Sequence, residues 1–515
     1  MRIIWGLGVL AAAVLAVVAC GGAAAKGPAG NGGQTAGDPD GGQGSGGSQD
    51  AGTGSDAGAA QDAGAAQDAG PGPDAGPAPD AGSPPDAGTD GGVSVIVPNS
   101  AGWTFYQQAD GLTSSEVMGA SADEGGNIWV AGGTAGVFVL RNGASTFQQF
   151  TLADGLHPYG YMPDGSPADT NPYVEAISIS GGPAGTAFVG YMGRPVPNGV
   201  RGCEDNWDGP NPDPAIYKSG DADKLTLTAS GIDVVHYDIF SGLNQIPAET
   251  RGREKLCSIY RVVYEHGTNY VWFGGNHGFA MGFANFAGNP TCAGLRSCSG
   301  AWEHVHPAIN CYKNGQIVFC TGDYYGVAVD PLTKDPWFGG VDRTTRFRFF
   351  TNHEDWVTAQ SQTQDPPFAS NRMDVWPDLV QEPAVPQPSE RVTDNVSGIA
   401  AMPDGSAWIG SFSRGLRHID KDGKLLEDAT SRLLSVKLGA VARDPSDDSI
   451  WVGYLFNGGV SRLMPDGSTR HYSNAVLGNA LASSTVHDIQ FDTSVTPRHV
   501  IVSFEIGAVG VYSGQ

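Results

Sequence analysis

Residues 126–133, GNIWVAGG, combine a turn residue, a branched or aromatic residue, a second apolar residue and then small ones. The phrase returns as GTAFVGYM (185–192), NYVWFGGN (269–276), KDPWFGGV (334–341), GSAWIGSF (405–412), DSIWVGYL (448–455) and RHVIVSFE (498–505). A short apolar run bounded by glycine predicts a buried strand, and a small residue near its end admits the close approach of a neighbouring segment. That position holds Ala131, Gly190, Gly274, Gly339, Gly410, Gly453 and Ser503.

The flanks repeat as well. Each phrase follows a stretch of small and β-branched residues that often ends near an acid, as in SSEVMGASAD (114–123), CSIYRVVYE (257–265) and VKLGAVARD (436–444). Glycine then leads a third strand in GVFVL (136–140), GFAMGF (278–283), GLRHI (415–419) and GVSRL (459–463). A fourth strand carries aromatic residues and then Gly-Leu, as in FQQFTLADGL (147–156) and VHYDIFSGL (235–243). Seven four-stranded units with small inner and bulky outer strands predict an all-β, seven-bladed β-propeller over residues 93–515. WTFYQQ (103–108) reads as a fourth strand with no first three before it, and the last unit stops at its third, GVYSGQ (510–515). Pairing the two closes the ring and removes its open edges.

The first unit, DGLTSSEVMGASADEGGNIWVAGGTAGVFVL, is similar to the two-component regulator propeller repeat, through Gly111, Leu112, Val117, Asp123, Gly126, Ile128, Trp129, Val130 and Gly136. The likeness returns around Trp408 and Trp451 and fades where Phe188 and Ile501 replace the tryptophan. The resemblance implies a propeller of the kind found in periplasmic sensor halves of hybrid histidine kinases, which detect glycans. With no apolar span after the propeller and no kinase in this sequence, extracellular ligand binding is the property expected to carry over.

The first 92 residues follow other rules. Arg2, an apolar run from Ile3 to Val18 and small residues before Cys20 read as an export signal over 1–19. Val17-Val18-Ala19-Cys20 resembles the bacterial lipobox, which implies cleavage before Cys20 and lipid attachment to its thiol, and hence an anchored envelope protein, outer-membrane by the Gly21 that follows. The apolar run is short of the ~20 residues of a membrane span. Residues 20–92 hold Gly, Ala, Asp, Pro, Ser and Gln with Asp-Ala-Gly recurring every six positions from Asp50, and no aromatic residue. Such a stretch cannot bury enough surface to offset chain entropy, so a disordered, extended tether is expected.

Charge and cysteines narrow the classes further. The net charge is -25 over 515 residues, which lacks the basic footprint that phosphate binding needs and excludes a nucleic-acid partner. Beside Cys20 the chain has six cysteines, an even number in keeping with an oxidising compartment. Spacing suggests Cys311 with Cys320 across Asn314-Gly315, Cys292 with Cys298, and Cys203 with Cys257; a zinc site is disfavoured because no Cys-x-x-Cys occurs.

In a propeller the second-to-third and fourth-to-first connections open on one face. The long stretches 157–172, 191–214, 244–256, 306–322 and 351–394 are expected there, and insertions on one face mark a binding surface. Its candidate residues are Glu116, Tyr173, Glu175, Tyr260, Asp323, Tyr324, Asn395, Lys437 and His487 near the channel mouth, with His277, Arg343, Arg414 and Glu505 from the second-to-third connections. Aromatic rings among charges of both signs suit a glycan or a protein partner. No cofactor or metal is expected and no catalytic set is marked by spacing. The alternative is a metal-assisted lyase or hydrolase using His277, His487 and Glu505. A monomeric binding or scaffolding module is the favoured reading.

Overall fold

Seven antiparallel sheets carry the seven phrases in their second strands. Blade one is Gly119–Ala122, Ile128–Ala131, Val137–Leu140 and Gln148–Phe150, paired in that order. Blades two to six begin with Ala176–Gly181, Ile259–Tyr264, Tyr324–Val329, Val396–Ala401 and Leu438–Arg443, and blade seven with Val486–Asp492. The first strand of each blade packs against that of the next, and the seventh against the first, so the ring is closed. These are features of a computed structural model. It describes residues 93–159, 173–194, 220–237, 258–276, 278–288, 323–341, 343–347 and 395–514, with backbone alone for 301–304, 309–313, 316–320 and 373–377. Asp90–Gln515 constitute one compact unit.

The closure is the one expected from the chain ends. Trp103–Tyr106 is the outer strand of blade seven, with Trp103 opposite Tyr512 and Tyr106 opposite Val509. Trp103 stacks on Phe105 at 5.6 Å and meets the edge of Tyr472, which belongs to blade six. Aromatic area thereby fastens this closing strand to blades six and seven. One strand was not anticipated: Ser94–Ile96 runs parallel to Thr469–Tyr472 as a fifth strand of blade six.

The repeated small residues act as the pattern requires. A Cβ placed on Gly190 would lie 2.7 Å from the carbonyl oxygen of Ile259, and one on Gly453 only 2.3 Å from Val486 Cγ1, each in the first strand of the next blade. The repeated tryptophan and acid also explain each other. Trp129 Nε1 donates to Asp123 at 2.8 Å, Trp272 Nε1 to Glu265 at 3.1 Å and Trp451 Nε1 to Asp444 at 3.3 Å. The indole fills the blade interface while its N–H meets the buried carboxylate at the end of the first strand.

Two insertions differ from their sequence reading. Stretch 351–394 contains Met373–Pro377, the fourth strand of blade four. The stretch is therefore not a single fourth-to-first connection, since it holds that blade's fourth strand. Stretch 306–322 holds a hairpin of its own, Ile309–Lys313 with Gln316–Cys320, turning at the Asn-Gly pair. In its register Cys311 is opposite Val318 and Cys320 opposite Ile309, so the two cysteines are diagonal neighbours. Cys20, Cys203, Cys257, Cys292 and Cys298 lie outside the described residues, as do the export signal and most of the tether. Among the described residues no helix is long and apolar enough to cross a membrane.

Candidate functional site

Backbone hydrogen bonds bring the two kinds of connection together on one face. Met192 N–H donates to Glu175 O, Phe412 N–H to Asn395 O and Leu455 N–H to Lys437 O, each joining the residue after a second strand to one before the first strand. This face surrounds the mouth of the central channel.

In six blades the first strand carries a bulge near its start, leaving Ile177, Tyr260, Tyr325, Ser397, Gly439 and His487 without a direct cross-strand partner. A bulge adds a residue and re-aims its side chain. Tyr260 and His487, both candidates from the sequence, occupy it. In blade four the bulge residue is Tyr325, one beyond the expected Tyr324. Tyr324 is fully buried, its ring edge-on to Phe279 at 5.1 Å, and Arg343, which opens the third strand of the same blade, is fully buried too. Both belong to the packed interior rather than to the face.

The mouth divides into two sectors. Blades seven, one and two contribute Glu505, His487, Glu116, Glu175 and Tyr173. His487 Nε2 lies 3.7 Å from Glu505 Oε2, and the Tyr173 hydroxyl donates to Glu175 at 2.6 Å. Burial raises the pKa of Glu116, and the neighbouring Glu175 and Glu505 raise it further, with His487 opposing. Glu505 is held below the usual glutamate range by the imidazole of His487 at 3.7 Å, against burial. Blades three to five contribute rings: Tyr260 and Tyr325 meet at 4.8 Å, and Tyr325 meets Phe412 edge-on at 5.3 Å. The Tyr325 hydroxyl donates to Asp323 at 2.8 Å. Asn395 is half-buried beside them, and Arg414 and Lys437 are exposed. His277 lies outside the described residues.

Sequence reading missed the channel's own charges. Arg261 of blade three forms an ion pair with Asp488 of blade seven, two blades that are not neighbours, so the pair spans the ring interior below the mouth. Gln490 Nε2 also donates to Asp488, at 3.1 Å. It missed a second cluster as well, in blade two. There Asp223 accepts from the Tyr191 hydroxyl at 2.7 Å and from His157 N–H at 2.7 Å, and His236 Nδ1 lies 2.9 Å from it. Burial opposes the charge on His236, but the carboxylates of Asp221 at 3.7 Å and Asp223 at 2.9 Å prevail, raising its pKa; burial and the His236 charge push His157 down to about 4. Both clusters join residues far apart in sequence without a spacing signal.

Among the described residues no group of three His, Cys, Asp or Glu side chains is placed to hold a metal ion.

No family model matches the chain, and no curated protein matches it in sequence. The two-component regulator propeller repeat is therefore carried by the quoted residues alone. Solved β-propeller structures do match. Virginiamycin B lyase from Staphylococcus aureus is 11% identical, over 79% of this chain and 98% of its own, with a TM-score of 0.42. A streptogramin B lyase is 12% identical over 79% and 97%, with a TM-score of 0.43. The WD40 β-propeller domain of Doa1 is 8% identical over 81% and 98%, with a TM-score of 0.42. At such identities and TM-scores these structures carry no argument about what this chain does.

Proposed function

We propose that the chain is a binding module of the bacterial envelope, anchored through lipid on Cys20 and a tether over residues 20–92, whose channel mouth engages a glycan or a protein. The observation that carries this reading is the gathering, from successive blades, of half-buried rings (Tyr260, Tyr325, Phe412) beside half-buried ionisable groups (Glu116, Glu505, His487) around the channel mouth. Rings present flat apolar area, and carboxylates accept hydrogen bonds from hydroxyl or ammonium donors. Lipid attachment rests on the Cys20 motif and is tested separately by metabolic labelling with a fatty-acid analogue, which a Cys20→Ala chain must fail to incorporate.

The binding reading is tested by the melting temperature of the purified protein against neutral oligosaccharides, peptidoglycan fragments, peptides and divalent ions, since a ligand selective for the folded state raises it. A rise with a sugar or peptide that disappears in Tyr325→Ala and in Glu505→Gln supports the reading. A rise that survives both variants places the ligand elsewhere. A rise with calcium or magnesium alone favours the alternative of a metal-assisted lyase or hydrolase.

A further inference from the structure

On the face opposite the mouth, the first-to-second connections of blades six and seven line an open pocket of about 470 Å³, with Pro445, Asp447, Arg462, Val495, Pro497 and Arg498 among its walls. Its size is in the ordinary range for small-molecule sites, roughly 300–1,000 Å³, and its chemistry fits their habit of apolar walls with a few polar groups. The polar wall is two guanidinium groups, 2% and 7% exposed.

The two differ in how well they are satisfied. Arg498 uses all three of its nitrogens: Nε donates to Asp444 at 2.8 Å, Nη2 donates to the second oxygen of the same carboxylate, and Nη1 donates to Gly514 O at 3.2 Å. Arg462 donates from Nε to Ser449 Oγ at 2.9 Å and from Nη2 to Asp447 at 2.5 Å, and its guanidinium lies over the Trp451 ring at 5.2 Å. Its Nη1 is sealed from solvent and has no acceptor among the described residues. A buried donor left unmade on a charged group is costly, so the site lacks an acceptor.

Charge decides what can supply one. Asp444 and Asp447 formally cancel Arg462 and Arg498, so an added anion needs one carboxylate to leave. Asp444 is sealed in the seam, whereas the Asp447 side chain is 34% exposed at the rim. We propose that this pocket is a site for a small organic carboxylate with an apolar body. Asp447 turns to solvent and uncovers the guanidinium it now caps, the ligand carboxylate takes the Nη2 that Asp447 leaves together with the Nη1 so exposed on Arg462, and the body packs on Pro445, Val495 and Pro497. A planar fork matched to a carboxylate is the geometry at which arginine excels.

The test uses the full chain with 4-fluorobenzoate and its neutral isostere 4-fluorobenzamide, followed by fluorine NMR line broadening. Benzoate broadens and benzamide does not. Asp447→Asn, which removes the competing carboxylate, tightens benzoate binding several-fold. Arg462→Lys keeps the charge but loses the fork and weakens it about tenfold or more. Val495→Phe fills the apolar wall without touching the ion pairs and abolishes binding even if Arg462→Lys proves too unstable to read. Equal broadening by benzamide, weaker binding by Asp447→Asn, full binding by Val495→Phe, or no benzoate binding by either the native chain or Asp447→Asn would each overturn the proposal.

Discussion

Blade seven carries charge at both ends, and the two ends treat it in opposite ways. At the seam with blade six, Asp444 is buried, which by itself raises a carboxyl pKa, yet hydrogen bonds from Arg498 and Ser446 hold it below the usual aspartate range. At the mouth, Glu116 stands half-buried near Glu505 and Glu175, and burial and like charge act in the same direction to push it up. The first arrangement is a joint, in which every charge has its counter-charge and the fold gains from keeping it. The second retains electrostatic repulsion that no stability argument explains, and perturbed carboxyls of that kind gather at functional sites.

The largest effect should come from breaking the joint. Asp444→Ala leaves Arg498 and Arg462 in the seam without their shared acceptor, and breaking a buried pair from one side costs about 3–5 kcal/mol. Urea denaturation of the two proteins measures it. The sign of its pH dependence follows from the lowered pKa: the contribution is present above the ordinary aspartate value of 3.8 and is lost as pH falls through the lower folded value. The gap between native chain and variant must therefore close in acid. A gap that stayed constant would mean that the seam is held by packing and not by charge.

The same seam supplies the second test, through packing. Gly453→Ala sets a methyl 2.3 Å from Val486 Cγ1, in the first strand of blade seven. Overpacking of that kind costs about 1–3 kcal/mol. Gly143→Ala is the control for loss of glycine itself: no atom lies within 4 Å of the added carbon, although its φ of +81° carries backbone strain. If the two variants melt together, the repeat's small residue is a matter of backbone conformation rather than blade spacing.

Nearly all the strands were legible because the phrase recurs with its flanks, and a seven-fold repeat leaves few ways to bury seven apolar runs. Exceptions have physical causes. Met373–Pro377 ends without the Gly-Leu that follows the fourth strands of blades one, two and seven, and the helical segment Asn474–Ser483, kinked at Gly478 before blade seven, buries Val476, Leu477 and Leu481 in a stretch that lacks strand periodicity. The site was less legible because the bulge shifts the alternation by one residue, so Tyr324 and Tyr325 exchange inside and outside. Pairs such as Arg261 with Asp488 or Arg498 with Asp444 join strands of different blades, and residue spacing does not encode them.

Below these in magnitude is the tryptophan pin. Trp129→Phe keeps the aromatic packing but removes the N–H that Asp123 accepts at 2.8 Å. Asp123 retains bonds from Asn127, Gly125 and Gly185, so the loss should be about 1 kcal/mol, the net worth of one hydrogen bond, rather than the full penalty of an orphaned carboxylate. A loss several times larger in thermal denaturation would show that the pin, and not the packing, holds blade one to the repeat geometry.

The smallest effect carries the opposite sign and bears most directly on the mouth. Because the folded pKa of Glu116 is raised, its ionised form is disfavoured in the native state, so it subtracts stability above the ordinary glutamate value of 4.5 and nothing well below it. Glu116→Gln should match the native chain in acid and become more stable as pH rises through the folded pKa. Solvent screening at a half-exposed group limits the gain to about 0.5 kcal/mol. Melting curves across that pH range in low salt resolve it, and added salt should shrink it as the repulsion from Glu175 and Glu505 is screened. A variant that is less stable at neutral pH would make Glu116 part of the fold's own bonding, and the contrast between the two ends of blade seven would then disappear.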